Sequence, residues 1–386
     1  MPEGDASAGL AALRSDLAEL VAYETQTDGA NGSEGAAELP DKLDANECPF
    51  DLPAALKQEL ARYYERAIAA NRYPDGSHAS LKRAIATYAS ESAAASISPD
   101  SIALGHGSDE LIRSLLIATC LGRPSSVLVA QPTFAMYGII ARTLGVPVVS
   151  IGRSESDFAI DLAAAQRAIA EAREAPVRVV FVAHPNSPTG NLLSAAELDW
   201  LRSLPERILV AIDEAYFEFS QHSLAGELAQ RPNWIVLRTF SKAFRLATHR
   251  VGYGIAHPQP IAALEKIRLP YNLSGMAQAA AQFALDRRQQ LLAAVPTIQS
   301  ERERLRMALE QIPNVRVWPS AANFLYLRPT PPPSAAAVAS ALQASGTLAR
   351  HTGGGIRLSV GSRAQNERAL ARLQAALQAH SSAPTS

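Results

Sequence analysis

Lys242 stands in Leu237-Arg-Thr-Phe-Ser-Lys-Ala-Phe244, just past an apolar run of the kind that forms a buried strand. A lysine there is either a side chain that snorkels to the surface or a desolvated amine with a depressed pKa, suited to Schiff-base chemistry. Asp213 and Tyr216 follow the apolar run 208–212 in the same way. An acid directly after a buried strand costs desolvation unless it has a partner. Asn186 lies in His184-Pro-Asn-Ser-Pro-Thr-Gly190, where two prolines and a glycine fix the backbone after a third run. Composition alone reads that segment equally well as a tight turn. Gly105-His-Gly-Ser-Asp-Glu110 sets two glycines and a hydroxyl at a helix start. Free amides and the macrodipole there can hold a phosphate, or Ser108 can simply cap the helix that follows. The spacing meets neither the dinucleotide fingerprint nor the Walker pattern. Arg250, eight residues after Lys242, is either an anion ligand or a surface cation.

Residues so far apart in the chain meet only if the strands that carry them run side by side. Short apolar runs at 127–130, 147–151, 177–183, 208–212, 234–238 and 252–255 alternate with helical segments, the pattern of a parallel sheet covered by helices on both faces. Such folds bind ligands at the carboxyl ends of their strands, where Asn186, Asp213 and Lys242 fall. Ser194-Ala-Ala-Glu197 is a capping box that opens a helix. Past about residue 275 the texture changes to long Ala/Gln/Arg-rich helices, a strand at 323–327, a proline-rich turn at 329–333, another helix and a strand at 356–360. A second, smaller α+β domain is expected there. Residues 28–38 hold nothing large to bury and read as a mobile loop.

The 386 residues are 47% hydrophobic and 19% charged, which is ordinary for a packed globular chain. A net charge of -1 gives no excess to hold a polyanion, so nucleic acid is not an expected partner. Two cysteines without a CxxC pair exclude a disulfide framework and a zinc knuckle. The eight histidines contain neither HxxxH nor HExxH, and no metal site is expected. No run approaches a membrane span and the first residues lack a basic signal region, so the expected location is cytoplasmic.

The joint pattern resembles the fold-type I pyridoxal-phosphate aminotransferases, and within them most closely the histidinol-phosphate aminotransferase family. The resemblance is carried, in order, by Leu43-Asp-Ala-Asn46-Glu47-Cys-Pro49, Asn71-Arg-Tyr73-Pro74, Gly107-Ser-Asp-Glu110, Pro132-Thr-Phe134-Ala-Met-Tyr137, Pro185-Asn-Ser-Pro-Thr-Gly190, Asp213-Glu-Ala-Tyr216, Phe240-Ser-Lys-Ala-Phe244 and Gly355-Ile-Arg357-Leu. It implies an α/β chain with an amino-terminal arm at 1–43, including the loop 25–38, a large domain with a mainly parallel sheet at 44–272, and a small domain at 273–386.

The resemblance also implies pyridoxal 5′-phosphate as cofactor and a role for each matched residue. Lys242 is implied as the Schiff-base lysine and proton shuttle. Asp213 is implied to pair with the pyridinium nitrogen, Asn186 and Tyr216 to bond the 3′ oxygen, and Phe134 to stack on the ring. The amides of Ser108 and Asp109, the Ser241 hydroxyl and Arg250 are implied to grip the cofactor phosphate, with the Asp109 carboxylate turned away from it. Tyr73 is implied to reach that phosphate from a neighbouring subunit, which makes a homodimer. Arg357 is implied to fork onto the carboxylate of glutamate. Arg350 and Tyr23 match the positions for the phosphate of histidinol phosphate.

The implied reaction exchanges an amino group between L-histidinol phosphate and 2-oxoglutarate, giving imidazole acetol phosphate and glutamate, a step of histidine biosynthesis. The rival readings are an aromatic amino-acid aminotransferase and a pyridoxal-phosphate decarboxylase of a phosphorylated amino acid. Leu246-Ala-Thr248-His249-Arg250 departs from the family's Leu-Ala-Gly-Leu-Arg. His249 is thus either a second cation near the phosphate or a histidine bonded within the fold.

Overall fold

The structure is a computed structural model and describes residues 14–20 and 39–381. Tyr23 and the loop expected at 25–38 lie outside the described residues. Thirteen strands occur among the described residues: β1 (Asp41–Lys42), β2 (Ile102–His106), β3 (Ser126–Ala130), β4 (Val148–Ile151), β5 (Val177–Ala183), β6 (Leu209–Asp213), β7 (Trp234–Thr239), β8 (Val251–Ala256), β9 (Val315–Trp318), β10 (Phe324–Pro329), β11 (Thr347–Leu348), β12 (Arg350–Thr352) and β13 (Gly355–Ser359).

Seven strands form the central sheet in the order β2-β8-β7-β6-β5-β3-β4. Only β8 runs against its neighbours, so the sheet is mainly parallel. The six runs expected from sequence are β3 to β8, each end within one residue. Strand β2 was not expected, because Ile102-Ala-Leu-Gly-His106 is short and runs straight into the glycine-rich turn.

Alternation along the strands fills two cores. Val180, Val182, Val210, Ile212 and Val236 face one side, with Leu56 and Leu60 from helix Ala54–Ala67 and Ala277, Ala280 and Ala284 from helix Gly275–Asp286. Val179, Phe181, Ala211, Ile235 and Leu237 face the other, against Leu111, Ile112, Leu115 and Leu116 of helix Gly107–Cys120. The helix opened by Ser194 carries the expected capping box, with the Ser194 side chain on the Glu197 amide and Glu197 reaching back.

The second sheet is antiparallel, β12-β13-β10-β9. Leu305 and Leu309, Val338 and Leu342, and Leu373 and Leu377 pack on it from three helices, together with Leu43 from the other end of the chain. Strand β1 pairs in parallel with β11. The Asp41 carboxylate is buried beneath two guanidinium groups, with Arg368 at 2.5 and 2.8 Å and Arg372 at 2.9 Å. Those cations hold its pKa below the usual carboxylate range.

The parallel strands bring His106, Ala130, Ala183, Asp213 and Thr239 to one edge of the central sheet, and β8 starts at that edge, just after Arg250. Behind it lies a fully buried ion pair. Arg238 Nε donates to Glu214 Oε2 at 2.9 Å, Arg238 also donates to the hydroxyls of Ser92 and Ser223 at 2.7 Å, and the Leu224 amide donates to Glu214 Oε1 at 2.6 Å. The Arg238→Met variant leaves the carboxylate buried without its partner and is expected to lose about 3–5 kcal/mol in urea unfolding. Adding Glu214→Gln is expected to recover part of that loss.

Candidate active site

The edge where the strands end opens into a cavity of about 300 Å³. Its wall contains Ser108, Asp109, Phe134, Asp213, Tyr216, Ser241, Lys242, Arg250, Arg350 and Arg357, ten of the residues singled out from sequence.

One end of the cavity is an anion cradle. Gly107 opens helix Gly107–Cys120 at φ 72, a left-handed conformation that favours glycine. Ser108 does not cap this helix; His106 is the N-cap residue, and Glu110 accepts its backbone N–H at 2.5 Å. The next first-turn amides have no partner within the helix and face outward along its axis. A Cβ on Gly107 would lie 2.5 Å from Arg250 Nη2, and one on Gly252 would lie 2.4 Å from the Ser108 nitrogen. These two glycines therefore let β8 and Arg250 close against the helix start. The Arg250 guanidinium donates to Ser241 Oγ at 3.2 Å. It also pairs with Asp109 Oδ2 at 3.3 Å, opposite charges within reach of each other.

Lys242 follows β7, and its Nζ donates to the Ala45 carbonyl at 2.7 Å. Burial, reinforced by the charges of Arg357 and Arg250, lowers its pKa to about 8. Asp213 ends β6. Burial pushes its carboxyl up to about 6, against the opposing effect of the Tyr137 hydroxyl at 2.7 Å and the Ala215 amide at 3.0 Å. Tyr216 is buried, meets Phe324 edge to face at 5.0 Å and accepts a hydrogen bond from Asn46 Nδ2 at 2.8 Å. Burial raises its phenol pKa.

Across the cavity, Arg350 and Arg357 are directly opposed on the antiparallel strands β12 and β13. Register partners on one face of a sheet are neighbours, so the two cationic side chains are brought to the same wall of the cavity. Arg357 donates to Ser187 Oγ at 3.0 Å and to the Asp44 carbonyl.

Three residues fall elsewhere. Asn186 is 1% exposed and is not part of the cavity wall. Its carboxamide donates to Pro132 O at 3.1 Å and Thr189 Oγ1 at 2.6 Å, and accepts from Thr133 at 2.9 Å and Arg153 at 3.4 Å. Tyr73 is 81% exposed and stacks on Tyr271 at 4.6 Å, away from the cavity. His249 is bonded within the fold, its Nε2 2.8 Å from the Tyr64 hydroxyl, and burial lowers its pKa. Tyr23, outside the described residues, has no place to report.

Sequence reasoning assigned no role to Tyr137, Asn46, Lys42, Asp44, Glu47 or Thr239. Tyr137 lies three residues past Phe134 in Pro132-Thr-Phe-Ala-Met-Tyr137, and a tyrosine in a buried segment needs a hydroxyl partner. That need was the available signal. Among the described residues no group of three His, Cys, Asp or Glu side chains is placed to hold a metal, and no helix is long and apolar enough to cross a membrane.

Residues 42–373 match the model of the aminotransferase class I and II family, the class that this sheet and this lysine-centred cavity define. The histidinol-phosphate aminotransferase of Synechococcus elongatus is 57% identical over 367 residues, covering 95% of this chain and 97% of its own. That of Trichodesmium erythraeum is 53% identical, covering 94% and 98%. Among solved structures, histidinol-phosphate aminotransferase from Sinorhizobium meliloti in complex with pyridoxal-5′-phosphate has a TM-score of 0.77 at 24% identity, covering 88% of this chain and 91% of that one. The chain belongs to the class I and II aminotransferases and, within them, to the histidinol-phosphate aminotransferase family.

Asp213 gives this site a pH signature. Its folded pKa of about 6 lies above the ordinary 3.8, so between those values the folded chain holds a proton that the unfolded chain releases. Its contribution is fully present below about pH 4 and is lost as pH rises through 6, a decline of about 3 kcal/mol. The buried His78 and His184, whose pKa values burial lowers to about 4, act in the opposite sense over the same range, so the Asp213 contribution is read as a difference. The stability of the ligand-free protein relative to Asp213→Asn is expected to fall by about that amount between pH 4 and 7, and a constant difference in urea unfolding refutes it.

Proposed function

We propose that this chain is a homodimeric, cytoplasmic pyridoxal-phosphate enzyme that transfers an amino group between L-glutamate and imidazole acetol phosphate. The products are 2-oxoglutarate and L-histidinol phosphate, and the step belongs to histidine biosynthesis. The carrying observation is the opposed pair Arg350 and Arg357 on the same cavity as Lys242. It provides cationic groups for a phosphate and a carboxylate beside one deprotonatable amine.

The residues fit the cofactor. The cradle of Ser108, Asp109, Ser241 and Arg250, closed by two glycines, suits a phosphate monoester. The buried Asp213 suits a cationic ring nitrogen, whose charge would draw its carboxyl back to the ionised form. Phe134 supplies an aromatic face on the same wall. When bound, pyridoxal phosphate supplies an electron sink for the carbon that loses its proton.

Lys242 would hold the cofactor through Nζ and, as a free amine, would take the proton from the substrate carbon. A pKa near 8 leaves part of the amine neutral at physiological pH. Arg357 forks onto the glutamate carboxylate, a geometry lysine does not copy. Arg350, with Tyr23, takes the phosphate of the second substrate. Asn186 acts from behind the wall by holding the loops at 131–133 and 186–191, and Tyr216 donates to the cofactor's 3′ oxygen. The two substrates use one cavity in turn, which makes the kinetics ping-pong.

Arg350→Ala is expected to lower kcat/KM for histidinol phosphate about 100-fold, and that for phenylalanine far less. Equal losses refute the role of Arg350. Preferred turnover of phenylalanine by the unaltered enzyme points to an aromatic aminotransferase, and carbon dioxide released from threonine phosphate points to a decarboxylase.

Tyr73 supports the dimer, since this ring is exposed and stacked on Tyr271 with Leu269 and Met276 also exposed. In the proposed assembly it reaches the cradle of a second copy. Lys242→Ala and Tyr73→Phe are each expected to weaken activity alone. Mixed by refolding in equal amounts, they are expected to regain activity to about a quarter of the unaltered level, because half the dimers are hybrids with one intact site. No recovery above the separate variants counts against a shared site.

A further inference from the structure

Asn46 is 1% exposed and sits at φ 54, in the left-handed region that asparagine tolerates better than most residues. The second sheet grips it. Its backbone N–H donates to Ser359 Oγ at 2.8 Å, the Ser359 hydroxyl donates to Asn46 Oδ1 at 3.0 Å, and Asn323 Nδ2 donates to the Asn46 carbonyl at 2.9 Å. Ser359 is the last residue of β13 and Asn323 immediately precedes β10. With the Ser359 proton on Oδ1, Nδ2 is left to reach the Tyr216 hydroxyl oxygen at 2.8 Å.

The direction of that bond decides what Tyr216 can do. A carboxamide nitrogen only donates, so Tyr216 accepts from Asn46 and must send its own proton elsewhere. A hydroxyl that accepts one hydrogen bond is also a stronger donor in the next. The Ser187 hydroxyl also bonds the phenol, in the sense that lowers its pKa as a donor does, and Tyr216 lines the cavity together with Lys242, Asp213, Arg357 and Ser187, so the direction left for its proton is the cavity itself.

We infer that Asn46 is a positioning residue, held by the second sheet, that makes Tyr216 an obligate hydrogen-bond donor toward the 3′ oxygen of the bound cofactor. The inference rests on the cofactor reading above. It assigns to the second sheet a part in setting the charge of the cofactor, beyond carrying Arg350 and Arg357. The titratable and charged groups around Tyr216, namely Arg357 from β13, Asp213 from β6 and Tyr137, with Lys242 and Glu47 on the same cavity wall, are unchanged in the Asn46 variants below.

The test is a pH titration of the visible absorption of the purified, cofactor-loaded enzyme. A donor on the 3′ oxygen favours the deprotonated form, in which that oxygen carries full negative charge, so losing the donor raises the midpoint. Tyr216→Phe sets the scale. Asn46→Gly accepts φ 54 without strain and removes only the side chain; it is expected to raise the midpoint by about 0.5 in pH, part of the change in Tyr216→Phe. Asn46→Asp places an acceptor against the phenol and reverses the bond, and it is expected to raise the midpoint at least as far as Tyr216→Phe.

Midpoints of both Asn46 variants unchanged while that of Tyr216→Phe rises overturn the inference and leave Asn46 a structural residue, whatever happens to thermal stability. An unchanged midpoint in Tyr216→Phe overturns it as well. A preparation of the unaltered protein that takes up no visible chromophore instead fails the cofactor reading itself, and the two failures are thereby distinct.

Discussion

Both faces of β5, β6 and β7 are buried, and this constraint decides where chemistry can sit. A strand with two apolar faces has little room for charge in its middle, so ionisable side chains collect at or next to the strand ends, as Arg238 does one residue before β7 stops. Parallel alignment then puts those stops on one edge. Asp213, Ser241, Lys242 and, through the reversed β8, Arg250 share a cavity for this reason. The helix beginning at Gly107 adds its amides to the same edge because β2, like β5 to β7, ends there.

Within that cavity the charges act on each other through a medium poor in water. Lys242 is lowered by burial and by Arg357 and Arg250, while Asp213 is raised by burial. Both shifts favour the neutral form, and both are poised to reverse when an oppositely charged group arrives. The second sheet contributes to the same balance from across the cavity. It provides two guanidinium groups by strand pairing alone, since residues 350 and 357 are register partners.

Much of this was legible in sequence, for a physical reason. A buried strand advertises itself by an unbroken apolar run, and the residue just after it is where a polar group must have a purpose. Lys242, Asp213 and the segment at 184–190 were found that way, the order of motifs implied Arg357, and Arg350 was matched to a position of the family outside those motifs. What stayed hidden depended on pairing between distant segments. Nothing near Asn46 in the chain reveals that Ser359, Asn323 and Tyr216 surround it. Nor does local sequence show that the Asn186 carboxamide is consumed by Thr133, Pro132, Thr189 and Arg153. Strand β2 escaped because a glycine and an adjoining turn mask five residues of strand. Ser108 looked like a cap, whereas the left-handed Gly107 moves the helix start back and passes the task to Glu110.

The clasp of β1 on β11, with Asp41 under Arg368 and Arg372, ties one end of the chain to the other. The central sheet is complete once residue 256 has been made, but the second core needs Leu43 together with Leu373 and Leu377. During synthesis from the amino terminus, the segment around residue 41 must therefore wait for its strand partner at 347–348, and for its ion-pair partners until the helix Arg363–Ser381 has been made. The cavity, which both sheets line, is consequently among the last features of the molecule to form.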